Sequence, residues 1–132
     1  MLALVHGVDL VEVERIAGML ESHGEPFVNR VFTHAEQEYA ESGGSARAER
    51  YAARFAAKEA VLKAIGTGWA GGIAWTDVGV RHGSGGSPEL ELTGEAANVA
   101  QSQGITGWTL SLSHTAAMAM ASVVGVVTGK EA

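Results

Sequence analysis

Twenty consecutive residues, Ala46 to Ile65, contain neither glycine nor proline, are rich in alanine, and are followed by Gly66. No other stretch of the chain has so strong a helical signal, and the glycine is placed to end it. The rest of the chain has to pack around one long helix. On that helix Tyr51, Phe55, Leu62 and Ile65 fall at core spacing, and Lys58 lies in the same stripe. The adjoining stripe carries Ala52, Ala56, Glu59, Lys63 and Gly66. A carboxylate and an ammonium there sit beside residues small enough for close approach.

The flanking segments read as mixed elements. Residues 2–8 alternate as a strand, and Asp9 with Glu12 is a capping-box pair opening a helix that stops near His23-Gly24. Phe27 to Phe32 is a short second helix, and Thr33 with Glu36 opens a third, to about Glu41. Ser42 to Ser45 is a flexible loop. Beyond Gly68 the pattern changes. Residues 73–81, 89–92 and 108–112 alternate as half-buried strands, 83–88 is a turn, and 116–127 reads as a fully buried strand. Thr93-Gly94-Glu95 opens one more helix, ending at Gly104. The expected architecture is α+β, a single domain over 1–132, with helices mainly in the N-terminal half packed on an antiparallel sheet.

Charge and composition narrow the function. There is no cysteine, so disulfides, thiolate metal sites and cysteine nucleophiles are excluded. The net charge of −6 argues against a general nucleic-acid binder. Yet seven of the nine Lys and Arg residues lie between positions 15 and 63. Such a cluster is either a set of solvated helix faces or a place that meets a phosphate or an acidic partner. The apolar run 116–127 is too short for a bilayer, which takes about 20 residues, and the N-terminus lacks a signal-peptide pattern. A soluble, cytoplasmic protein with no membrane partner is expected.

Two readings stay open for each polar residue of interest. Glu59 and Lys63 form either a surface i,i+4 pair worth about 0.2–0.5 kcal/mol or a station where a carboxylate holds Mg²⁺ and an ammonium holds a phosphate. Lys58 packs its stem on the core and carries its charge outward, or joins that station. Asp9 is a helix N-cap or a second metal carboxylate.

Four segments together resemble one family, the holo-acyl-carrier-protein synthases. They are Gly7 to Val13 (GVDLVEV), Arg54 to Ala64 with Gly66-Thr67-Gly68 behind it (RFAAKEAVLKA, GTG), Gly86-Ser87-Pro88, and Ser111 to Thr115 (SLSHT). The match is collinear over nearly the whole chain, and the central segment is the most specific. The resemblance implies transfer of the 4′-phosphopantetheine arm of coenzyme A to a serine of an acyl carrier protein, such as those of fatty-acid or polyketide synthesis. A non-catalytic coenzyme A or nucleotide-binding module on the same fold is the alternative.

The resemblance also implies roles. Asp9 and Glu59 are the Mg²⁺ ligands. Glu59, Lys63 and His114 are catalytic, with a metal-bound water, Glu59 and His114 the candidates for the base. Lys58, Lys63, Gly66, Gly68, Gly86, Pro88 and His114 contact the coenzyme. Arg15, Arg30 and Arg54 meet the acidic carrier protein. A chain with one copy of the motif set implies a homotrimer with sites between subunits. Two features depart from the family pattern or lack diagnostic value: His6, where the family often has glycine, and the Trp69–Trp75 stretch. His23, His34 and His82 receive no role.

Overall fold

The computed structural model describes residues 2–69 and 71–129; Met1, Ala70 and residues 130–132, at the expected domain's ends and inside the Trp69–Trp75 stretch, lie outside the described residues. The order is β1 (Ala3–Glu12), α1 (Val13–Val31), α2 (His34–Glu41), α3 (Arg47–Ile65), β2 (Val78–His82), β3 (Pro88–Leu92), α4 (Gly94–Ser102), β4 (Ile105–His114) and β5 (Met118–Val127). β1, β5 and β4 form an antiparallel sheet in that order, and β2 and β3 form a separate hairpin. The α+β expectation holds.

α3 lies across the three-stranded sheet because both surfaces are small. Val5, Gly7, Asp9 and Val11 point inward from β1, and Ala119, Ala121 and Val123 of β5 are fully buried. At Gly7 the approach is closest. A Cβ there would run into the Ala60 carbonyl oxygen and stand 2.9 Å from the Ala64 amide nitrogen. The αL residue Gly66 (φ 77°) ends α3, its N–H donating to the Leu62 carbonyl at 3.0 Å. α1 covers the flank with Val13, Ile16, Leu20, Val28 and Val31, a helical stripe. The expected pair of helices in 9–32 is present: α1 is two helical segments that part at Gly24 (φ 52°, ψ −134°, not helical), just before Pro26.

Three boundaries differ from expectation. Asp9 is not a helix cap: β1 continues to Glu12, with Asp9 opposite Ala121 and Glu12 opposite Met118. Ten ladder pairs with β5 outweigh a local capping preference. The expected strand 73–81 is shortened to Val78–His82, because Asp77 folds back to accept a hydrogen bond from the Ala74 amide (3.1 Å) in a 3₁₀ turn over 75–77. The loop at 42–45 partly closes into a 3₁₀ turn over Gly44–Ala46.

The outer face of the sheet is apolar and open. Leu4 (62%), Val8 (45%), Leu10 (60%) and Met120 (39%) are exposed there. Among the described residues no helix is long and apolar enough to cross a membrane.

Candidate active site

Two stations lie along α3. The first is where β1 meets the middle of the helix. Strand alternation turns Asp9 inward, onto the helix face that Gly7 allows to come close. Lys63 donates to Asp9 Oδ1 and to the Val8 carbonyl, both at 3.0 Å. Glu59 stands one turn earlier on the same face of α3. Its Oε1 accepts from the Trp69 indole at 3.4 Å. Trp69 stacks on Trp75 (centroids 3.8 Å apart), and Trp75 on Phe55 (5.2 Å). The guanidinium of Arg15 lies 5.4 Å over Phe55. Gly66 and Gly68 follow with positive φ (77° and 60°), leaving backbone without side chains beside Lys63.

Among the described residues no three potential metal ligands cluster. The donor set at this station is two carboxylates, hard oxygen ligands that leave positions for water and substrate phosphate. That set fits Mg²⁺ and does not fit a structural zinc site.

The second station is a cleft of about 330 Å³ between α2, the first turns of α3, the hairpin turn and the end of β4. Tyr39, Arg50, Arg54, His82, Gly86, Pro88 and His114 are among its walls. Arg54 is 5% exposed, and its Nε has no hydrogen-bond partner among the described residues. Its Nη2 is 3.5 Å from His82 Nε2, and its guanidinium lies 4.3 Å over the Tyr39 ring. Burial pushes the Arg54 pKa down, with Tyr39 and Glu36 opposing. His82 is pushed below the ordinary histidine value by burial first, then by Arg54 and Arg50. A guanidinium at the wall of a cleft, with Arg50, His82 and His114 also lining it, makes this a cation-rich pocket suited to an anion. His114 Nδ1 contacts Glu49 Oε2 at 3.1 Å on the rim.

A family model described as the 4′-phosphopantetheinyl transferase superfamily matches residues 6–119. The chain belongs to that superfamily. It is 48% identical over 118 residues to the holo-[acyl-carrier-protein] synthase of Solibacter usitatus, covering 89% of this chain and 94% of that protein. It is 50% identical over 120 residues to that of Desulforudis audaxviator, covering 91% and 90%. Among solved structures it resembles the holo-[acyl-carrier-protein] synthase of Neisseria meningitidis (TM-score 0.82, 32% identity, 92% of this chain and 96% of that one). It also resembles the Bacillus anthracis synthase in complex with CoA (3′,5′-ADP) (TM-score 0.77, 33% identity, 96% and 100%).

The expected residues of this transferase-family chain fall into four groups. Asp9, Glu59, Lys63, Gly66 and Gly68 gather at the first station. Gly86, Pro88 and His114 gather at the second. Arg15 and Arg30 are exposed on α1. Two expectations are corrected. Lys58 does not face the coenzyme stations: it is fully buried, 2.8 Å from Glu36, and donates to the Trp75 and Val78 carbonyls. A charge in the core stripe is held by a carboxylate that the capping box of α2 delivers. Arg54 is not on a docking surface, because burial and its place in the second cleft remove it from one. His114 is paired ten residues before Glu59, about 15 Å along the helix axis at 1.5 Å per residue.

Sequence reasoning missed Glu49, Arg50 and His82. Arg50 and Arg54 are four apart and share a helix face, which was a usable signal. His82 lies across the hairpin, and no local pattern marked it.

Proposed function

We propose that this chain transfers the 4′-phosphopantetheine arm of coenzyme A to a serine hydroxyl of an apo acyl carrier protein, releasing adenosine 3′,5′-bisphosphate. The observation that carries the reading is the presence of two anion-ready stations on one chain. Coenzyme A bears phosphate in two places, a pyrophosphate and a 3′-phosphate. The Asp9–Glu59–Lys63 end suits the pyrophosphate. The cleft of Arg54, Arg50, His82 and His114 suits the 3′-phosphate.

The serine oxygen attacks the phosphorus carrying pantetheine, and the bond from that phosphorus to the bridging oxygen breaks. Asp9 and Glu59 would hold Mg²⁺, which would supply charge neutralisation for the pyrophosphate. Lys63 adds a positive charge to the same oxygens, and positioning does most of the remaining work. His114 pairs with Glu49, about 15 Å along α3 from Glu59 within one protomer, farther apart than the 3′-phosphate and pyrophosphate of one coenzyme A, so a shared site would draw its two stations from neighbouring subunits. Arg15, beside the aromatic stack next to Glu59, is placed to meet an acidic carrier helix at that end, with Arg30 farther along α1. A non-catalytic coenzyme A binder has no use for the paired carboxylates and Lys63.

The open apolar sheet face favours a homotrimer that buries Leu4, Val8, Leu10 and Met120 between subunits. A cysteine-free chain of this activity belongs in the cytoplasm, where coenzyme A and carrier proteins meet.

The test is the intact mass of an apo acyl carrier protein incubated with this protein, coenzyme A and Mg²⁺. A gain of one phosphopantetheine is expected, and it should be lost with EDTA and with Glu59→Ala. Coenzyme A binding without transfer to any of a panel of carriers would overturn the reading.

A further inference from the structure

Glu49 is an acidic residue on the rim of a cleft built for an anion. Simple electrostatics makes it a defect, because its charge repels a phosphate. The geometry gives it a different task. Its Oε2 stands 3.1 Å from His114 Nδ1, tying the first turn of α3 to the end of β4. Glu49 is about one quarter exposed and His114 about half, so the pair is not needed to fill the core. A carboxylate only accepts, so of the two ring nitrogens Nδ1 is the one that Glu49 favours as the N–H. Nε2, on the other side of the ring, has no protein partner among the described residues.

We propose that Glu49 is the positioning residue for His114, fixing the ring so that its Nε2–H meets the phosphate in the second cleft. With a phosphate bound, the imidazolium donates from both nitrogens, one to Glu49 and one to the anion. The other groups facing the ring's cleft are Arg50 and Arg54 of α3, His82 of β2 and Tyr39 of α2. Three of these are or become cations, so without Glu49 a protonated His114 is repelled from the place where it is needed. The inference rests on the reading of this cleft as the 3′-phosphate end.

The experiment compares the affinity of the protein for adenosine 3′,5′-bisphosphate and for adenosine 5′-monophosphate, by calorimetry at pH 6 and pH 8. Wild type should prefer the bisphosphate. Glu49→Ala should lower that preference about tenfold, the scale of one charge-assisted hydrogen bond, with binding of the monophosphate unchanged. Glu49→Gln still accepts from Nδ1 but carries no charge. It keeps the acceptor that orients the ring and should restore most of the preference. A Glu49→Ala protein with unchanged preference, or with tighter bisphosphate binding as plain repulsion requires, overturns the proposal. A loss shared equally by both nucleotides shows a merely structural role and overturns it too. A wild-type protein that binds both nucleotides equally refutes the 3′-phosphate assignment itself, and the role of Glu49 falls with it.

Discussion

Replacing Lys58 by methionine should cost about 4 kcal/mol of folding stability, although methionine matches its length and removes a charge from the core. The ammonium spends its three protons on Glu36, the Trp75 carbonyl and the Val78 carbonyl. Glu36 Oε1 also accepts from the Thr33 amide (2.8 Å), and Oε2 from the Val80 amide (2.9 Å). Both side chains are fully buried. Lys58→Met therefore leaves a carboxylate in the core with hydrogen bonds but no counter-charge. Breaking a buried pair in this way costs about 3–5 kcal/mol, a large share of the about 5–15 kcal/mol that holds a domain together. At about 4 °C per kcal/mol for a chain of this size, the melting temperature should fall about 15 °C. Glu36→Gln should differ. Burial already pushes the Lys58 pKa down against the pull of Glu36, and without the carboxylate the amine can shed its proton. Its folded pKa then lies below its unfolded one, the unfolded state binds more protons, and stability rises with pH towards the unfolded lysine value. Urea unfolding followed by circular dichroism, for Lys58→Met, Glu36→Gln, Glu36→Leu and the double variant Glu36→Leu/Lys58→Met, reads all of this, the Leu and Met singles closing the cycle. The double variant should lose about 2–3 kcal/mol less than the sum of the singles. Single losses under about 1 kcal/mol, or strict additivity, would refute the argument that the pair is a coupled unit.

Three other perturbations test different parts of the structure. Gly7→Ala drives a Cβ into the backbone of α3 and should cost about 3 kcal/mol while weakening the proposed Mg²⁺ site, since Asp9 moves with the strand; native stability and metal affinity in titration would contradict the close packing. Leu10→Glu on the open sheet face should leave the monomer folded and abolish the proposed trimer by light scattering, whereas an oligomer of unchanged size would place the interface elsewhere. His82 is held below its ordinary value by burial, Arg54 and Arg50, so an anion entering the cleft should raise its midpoint and draw in a proton. Binding heats of adenosine 3′,5′-bisphosphate should then depend on buffer ionisation enthalpy, less so in His82→Gln, and buffer-independent heats would refute this. The same depression means the stability it contributes is present above the unfolded value and lost as pH falls below it.

The elements that local chemistry decides were legible. The glycine-free run with Gly66 behind it is α3, and Thr33 with Glu36 is a capping box in which both reciprocal hydrogen bonds form. Asp9 misled because its local signal, an aspartate three before a glutamate, is the same at a helix cap and in a strand. What decides is β5, more than a hundred residues later, whose ladder carries β1 through to Glu12. The turn at 75–77 misled for the opposite reason. The apolar alternation there is real, but one Asp77 side chain captures the backbone first.

The candidate site was legible where it follows the phase of α3 and illegible where it depends on what α3 meets. Successive residues on a helix point about 100° apart, so neighbours in one motif need not share a task. Lys58 and Glu59 show this: one is sealed in the core by Glu36, the other faces Trp69 beside Lys63 and Asp9. The same rotation carries Arg54 out of the docking surface and, with Arg50, into the second cleft. A basic residue in a cation-rich stretch invites assignment to an acidic partner, yet Arg54 is buried at the wall of a pocket and offers a carrier helix little surface to meet. The motif thus serves three directions at once: its core face fixes the helix, its β1 face gathers two carboxylates and an ammonium, and its early turns collect cations for a second phosphate.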